Sequence, residues 1–158
     1  MSQLFERRVV RCPYNLARQY LGETVGLRAD SGEESRLTLT VSGPSFDISK
    51  DVSVTFAPAV DPMHFDQPWR IHWKPQSGLY PEFDGELTVR ADETYETSLL
   101  ELQGSYRPPA GALGAAFDWA AGSRIATATA QALLRRIGDG MEAQYRRDEL
   151  AKQNPATS

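Results

Sequence analysis

The sequence predicts an α+β domain: a curved antiparallel sheet of six to seven strands closing on a long C-terminal helix. Three features of the 158-residue chain carry that expectation. Apolar and polar residues alternate with period two in several segments between Leu37 and Tyr106, as in strands with one dry face. From Leu113 a second pattern takes over. Leu113, Phe117, Ala121 and Ile125 recur every four residues, and Ala130, Leu134, Ile137, Met141 and Tyr145 continue the line, which is helical spacing. Near the N-terminus a strand-like run is followed at once by short helical spacing.

That first run is Leu4 to Arg11, β-branched at Val9 and Val10. Pro13 suits the first turn of the helix that follows, because its missing N–H has no partner there anyway. Leu16, Ala17, Tyr20 and Leu21 form the apolar side of a short helix from Tyr14 to Leu21, with Gly22 and Gly26 limiting its extent. A polar turn, Ala29 to Glu34, leads to Leu37, Leu39 and Val41 on one strand face. After Gly43-Pro44 the set Ile48, Val52, Val54 and Phe56 shares a face, broken only by Lys50. Ala57 to Pro68 carries three prolines and reads as an extended loop. Trp69, Ile71 and Trp73 alternate with Arg70, His72 and Lys74. Phe83, Gly85, Leu87 and Val89 then alternate with Glu82, Asp84, Glu86, Thr88 and Arg90, and Leu100, Leu102 and Tyr106 point inward from a last strand that Pro108-Pro109 ends. One domain is expected over 1–150, with 151–158 as a disordered tail.

The composition narrows the function classes. A net charge of −4 argues against a dedicated nucleic-acid binder, which displays a concentrated basic face. Arg135, Arg136, Arg146 and Arg147 are interleaved with Asp139, Glu142, Asp148 and Glu149, the mark of a solvated helical face. Cys12 is the only cysteine, so no internal disulfide and no thiolate zinc cage can form. No apolar run approaches the ~20 residues of a membrane span, and the N-terminus lacks the apolar core of a signal peptide. The expectation is a cytoplasmic protein without stable membrane insertion; the sequence is silent on oligomeric state.

The order of elements, and the stretch LELQGSYRPPAGALGAAFDWAAGSRIATATAQALLRRI from Leu100 to Ile137, resemble the last strand and closing helix of START-like proteins of the polyketide cyclase (SRPBCC) superfamily. YPEFDGELTV, Tyr80 to Val89, is similar in style to the strand before it. The resemblance implies a helix-grip fold with short helices after strand one and a cavity between helix and sheet. It implies no catalytic residues, since the superfamily shares none.

The candidate ligand-binding residues are therefore those of the inner strand faces and the helix. Trp69, Ile71, Trp73, Phe83 and Leu87 come from the middle strands, Leu102 and Tyr106 from the last, and Phe117 and Ile125 from the helix. A buried phenol needs a partner, and a ligand oxygen would serve Tyr106. Arg70 and His72 sit opposite the tryptophans; with the strand phase reversed by one residue they would enter the cavity with Tyr106 as an acid/base set. Asp61, His64 and Asp66 in the loop DPMHFDQP read as polar punctuation rather than metal ligands, and Met63 and Phe65 as apolar cover. Cys12 reads as a small buried residue at a strand end, and Gly111, Gly114 and Gly122 lack the Lys-Ser/Thr of a phosphate loop. No cofactor and no metal is expected.

Three functions compete. The leading one is binding, transport or sequestration of a small hydrophobic or amphipathic ligand. The second is a cyclase- or dehydratase-type enzyme acting on a polyketide-like substrate in the same cavity. The third is an interaction module without a ligand.

Overall fold

A computed structural model of the chain describes residues 2–30, 35–43, 46–58, 68–75, 81–107 and 119–153. The order is β1 (Ser2–Val10), α1 (Tyr14–Asp30), β2 (Ser35–Gly43), β3 (Phe46–Pro58), β4 (Trp69–Pro75), β5 (Glu82–Ala91), β6 (Ser98–Arg107) and α2 (Trp119–Gln153). Among the described residues six strands form one antiparallel sheet, ordered β1-β6-β5-β4-β3-β2. The first strand thus returns to pair with the last, and β1 and β2 are the two edges.

One face of this sheet is dry. Trp73 of β4 lies between Val54 and Phe83, and Phe83 in turn faces Tyr106. The next row inward carries Phe56, Ile71, Gly85, Gly104 and Leu4, and the one after it Trp69, Leu87 and Leu102. The rings of Trp73 and Phe83 stack 4.1 Å apart at 17°, both fully buried. Full burial of one large apolar side chain stabilises by roughly 1.5–3 kcal/mol. This pair therefore anchors the centre of the core.

Gly85 and Gly104 face each other across β5 and β6 on that inner side. A methyl at either position would run into the Phe83 ring and into the neighbouring strand's backbone. Two adjacent positions without side chains make the shallow floor over which Phe83 lies. Gly138 does a similar service on α2, where an added methyl would meet the Arg8 and Val10 side chains at 3.2–3.3 Å. The helix passes low over β1 at this point, and it continues without a break through Gly138 and Gly140.

α2 packs on β1, β6, β2 and α1. Ala126, Ala130, Leu133, Leu134, Ile137 and Met141 form its buried stripe, with Ile125 and Tyr145 partly buried at its margins. Leu113 and Phe117, the expected start of that stripe, lie outside the described residues. At the other end the helix runs through Gln153, so residues 151–153 are helical rather than part of a disordered tail.

α1 also departs from expectation. Its 17 residues pass Gly22 and Gly26 and reach Asp30, taking in what reads as the start of a polar turn. Pro13 precedes the helix, and its carbonyl accepts hydrogen bonds from the N–H of Leu16 and Ala17. Ala17, Tyr20, Leu21 and Val25 are buried, and tertiary packing of that face outweighs a penalty of about 1 kcal/mol per glycine.

These contacts separate glycines that matter from those that do not. Gly85→Val and Gly104→Val are each expected to destabilise the fold by about 1–3 kcal/mol through overpacking against Phe83. Gly22→Ala, which meets nothing within 4 Å, should instead stabilise α1 by up to ~1 kcal/mol. Urea denaturation of the three variants checks both signs.

Candidate functional site

The phase of β4 decides which side chains can meet. Ile71 and Trp73 are buried and Trp69 packs partly buried against the same core, whereas Arg70 and Lys74 are exposed and His72 lies on their face. Trp69, Ile71, Trp73, Phe83, Leu87, Leu102 and Tyr106 therefore share the inner face of the sheet. Ile125 approaches the same core from α2, and Phe117 lies outside the described residues. Arg70 and His72 stand on the outer face, so the acid/base set that pairs them with Tyr106 is split by the thickness of the sheet. The reversed strand phase is not adopted, because it would bury a guanidinium and expose two tryptophans.

The inner residues are not equally enclosed. Trp73, Phe83, Leu87 and Leu102 have no exposed surface, and Tyr106 retains 5%. Trp69 and Ile125 are only partly covered. Room for a guest molecule is therefore to be sought beside Trp69 and Ile125, not between the stacked rings.

On the outer face His72 is held by two carboxylates. Its Nδ1 lies 2.7 Å from Asp84 Oδ1 and its Nε2 3.2 Å from Glu82 Oε1. Arg107 donates from its Nη2 to the other oxygen of Asp84 at 2.9 Å. Partial burial pushes the Asp84 carboxyl up, but His72 and Arg107 together outweigh it and hold the group below the usual carboxylate range. A shallow groove of about 460 Å³ runs here, lined by Thr55, Ala57, Arg70, Ile71, His72, Asp84, Gly85 and Glu86. The two carboxylates occupy opposite nitrogens of the ring and do not converge on one point. Among the described residues no cluster of His, Cys, Asp and Glu could hold a metal ion. Asp61, His64 and Asp66 lie outside those residues.

Cys12 is buried where β1 turns into α1, and its carbonyl accepts a hydrogen bond from the Ser98 hydroxyl at 2.7 Å. Burial and the nearby Glu142 carboxylate push its thiol up from 9.0 to about 11. The macrodipole of α1 does not overcome those two effects, so the group is a protonated core side chain. Nearby, the Tyr20 hydroxyl donates to Asp148 Oδ2 at 2.6 Å, which with burial raises the phenol well above its ordinary value. Gln144 donates to Glu23 alongside, and Tyr20 packs at a tilt against Tyr145. These contacts tie the second half of α2 to α1. Sequence reasoning missed them, because nothing in the spacing of α1 shows which polar residues of a helix more than a hundred positions away will face it.

Two outcomes follow for Cys12. The native thiol should resist labelling by a thiol reagent and react fully in urea. Since the folded state holds its proton more tightly, the unfolded thiol ionises first as pH rises, and stability should fall between pH 9 and about 11. Denaturation midpoints across that window test the sign, with Cys12→Ala as the control that keeps only the fall Tyr20 contributes above pH 10.

No family model matches the chain, and no curated protein matches it either. Solved structures do, among them these two. TTHA0849 from Thermus thermophilus aligns with a TM-score of 0.52 and 10% identity, over 90% of this chain and 99% of that one. The Zhui aromatase/cyclase from Streptomyces sp. R1128 aligns with a TM-score of 0.53 and 14% identity, over 89% of this chain and 93% of that one. The likeness is one of fold: the chain is an α+β protein whose antiparallel sheet and long C-terminal helix are consistent with the helix-grip arrangement.

Proposed function

We propose that the protein binds a small hydrophobic or amphipathic molecule between the inner face of the sheet and α2, for transport or sequestration. The observation that carries this reading is the seat of the helix. α2 packs on both edge strands and on β6, while the aromatic row of Trp73 and Phe83 belongs to β4 and β5 in the middle. α1 fills in over β3 and β5, and the partly covered Trp69 and Ile125 mark where the apolar lining is least filled. Binding pockets of this kind are mostly apolar with a few polar groups fixing orientation, and Tyr106 brings a phenol to the same face. No helix among the described residues is long and apolar enough to cross a membrane, so the apolar lining is not accounted for by a span.

The cyclase- or dehydratase-type reading keeps one argument, that a solved structure of similar fold is named an aromatase/cyclase. Of the three residues considered for moving its proton, Tyr106 lies on the inner face, while Arg70 and His72 face away. A Tyr106→Phe variant that binds normally while losing turnover would move the case to the enzyme. His72→Gln should leave both properties unchanged.

Protein purified without detergent and examined by native mass spectrometry is expected to retain an apolar adduct or to take up a fluorescent fatty-acid or naphthalene probe. Trp69→Ala and Ile125→Asp should each weaken uptake about tenfold or more, with melting temperature reporting whether the fold survives. An adduct-free protein that takes up no probe, with Trp69 fluorescence unmoved, overturns the reading.

A further inference from the structure

β1 is the last strand on its side of the sheet and pairs only with β6 among the described residues. Its outer face presents Phe5 and Val9, 52% and 51% exposed, with Arg7 between them. Val9 lies directly across from Leu99, and these two with Arg7, Ala91, Asp92 and Glu93 line a groove of about 650 Å³. Its other face carries Glu6 and Arg8, which reach Gln131 and Asp139 of α2. An open nine-residue edge with apolar side chains is a template for another strand, and proteins usually blunt such edges.

We propose that β1 is the docking edge for a second copy of this chain, joined antiparallel about a two-fold axis through Arg7. Residues directly opposite in an antiparallel pair share a face, so only registers that match like phases are allowed. With the axis at Arg7, Phe5 meets the partner's Val9 and Val9 meets the partner's Phe5, giving two apolar pairs on the outer face. Glu6 then meets the partner's Arg8 and Arg8 the partner's Glu6, giving two opposite-charge pairs on the inner face. The central arginines are like-charged, and Glu101 on β6, paired with Arg7 in each copy, flanks them with one negative charge on either side. Moving the axis to Glu6 opposes Glu6 with itself and Phe5 with arginine. Moving it to Arg8 opposes Arg8 with itself and Glu6 with valine. Two opposite-charge pairs and two apolar pairs set against one like pair select this register, and a symmetric pair buries the same patch on both copies.

The test is mass and cross-linking of the full chain. Light scattering at tens of micromolar should give twice the 17.5 kDa chain mass, and Val9→Lys, a half-exposed site, should return it to one chain mass with unchanged circular dichroism. Directly opposed Cα atoms lie about 4.5–5.5 Å apart, within disulfide reach. Arg7→Cys should therefore oxidise to a covalent dimer and Phe5→Cys should not. A single-chain mass for the unmodified protein overturns the proposal, as does a dimer that survives Val9→Lys. Cross-linking through Phe5→Cys alone refutes the register. A monomer that takes up an apolar probe lost in Val9→Lys places a small molecule, not a second copy, in the groove.

Discussion

Two helices cover the six strands, α1 on β3 and β5 and α2 on β6 and both edges, and the rest of the architecture follows from the reach that α2 needs. Six strands lying flat span roughly 24 Å, at about 4.8 Å between neighbours, while a helix with its side chains is about 10–12 Å wide. Over a flat sheet one helix could not touch both edges. Bending brings both edges, β1 and β2, to the same helix. The bend in turn requires a thin place on the inner face, and the Gly85–Gly104 pair supplies it beneath Phe83. Gly138 lets the helix come down onto β1. The glycines and the aromatic stack are therefore parts of one solution: removing bulk beneath Phe83 gives its ring a place to lie, and lying there it completes the stack with Trp73.

The same geometry sorts the chemistry by face. A guanidinium or a paired carboxylate inside the grip would lose its hydration for few compensating contacts. β4 and β5 place their ionisable residues outside, where Arg70 lies across from Glu86 and His72 from Asp84. Such cross-strand pairs add modestly to the sheet, about 0.2–1 kcal/mol each. β1 is the exception that the helix permits. Glu6 and Arg8 lie in its inward phase, yet α2 passes directly above and offers Gln131 and Asp139 as partners. The edge of the sheet is where an inward side chain can still reach both a polar partner and water.

Much of this was legible beforehand because period-two alternation is a direct trace of a sheet with one dry face. Trp69 to Lys74 and Phe83 to Val89 read correctly as to which residues turn inward, and the stripe from Ile125 to Tyr145 named the buried side of α2. The length of α1 was not legible. Gly22 and Gly26 are local signals against helix, and they lose to the burial of Val25, which depends on elements far along the chain. The candidate site was legible as a face but not as a space. Trp73, Phe83, Leu87 and Leu102 show the same apolar pattern as Trp69, and only packing distinguishes the closed ones from the partly open one. For Arg70 and His72 the ambiguity of one residue in strand phase could be resolved only by seeing which set is buried.

The directional contacts of α2 are unevenly spread along it. Asp139 holds Arg8, Glu142 accepts the N–H of Arg11, Gln144 reaches Glu23 and Asp148 takes the Tyr20 hydroxyl. All four belong to the second half of the helix. In the first half the described residues engage the rest of the protein through Ala126, Ala130, Leu133 and Leu134, with Gln131 to Glu6 as a long contact of 3.3 Å. Apolar packing is non-directional and tolerates a sliding or tilting neighbour, whereas a hydrogen bond is lost within an ångström or so. Among the described residues the helix is thus pinned mainly at its C-terminal half, and apolar burial dominates at its N-terminal half, the half that carries Ile125. A guest entering between helix and sheet would meet the least resistance there, because admitting it mostly exchanges one apolar contact for another.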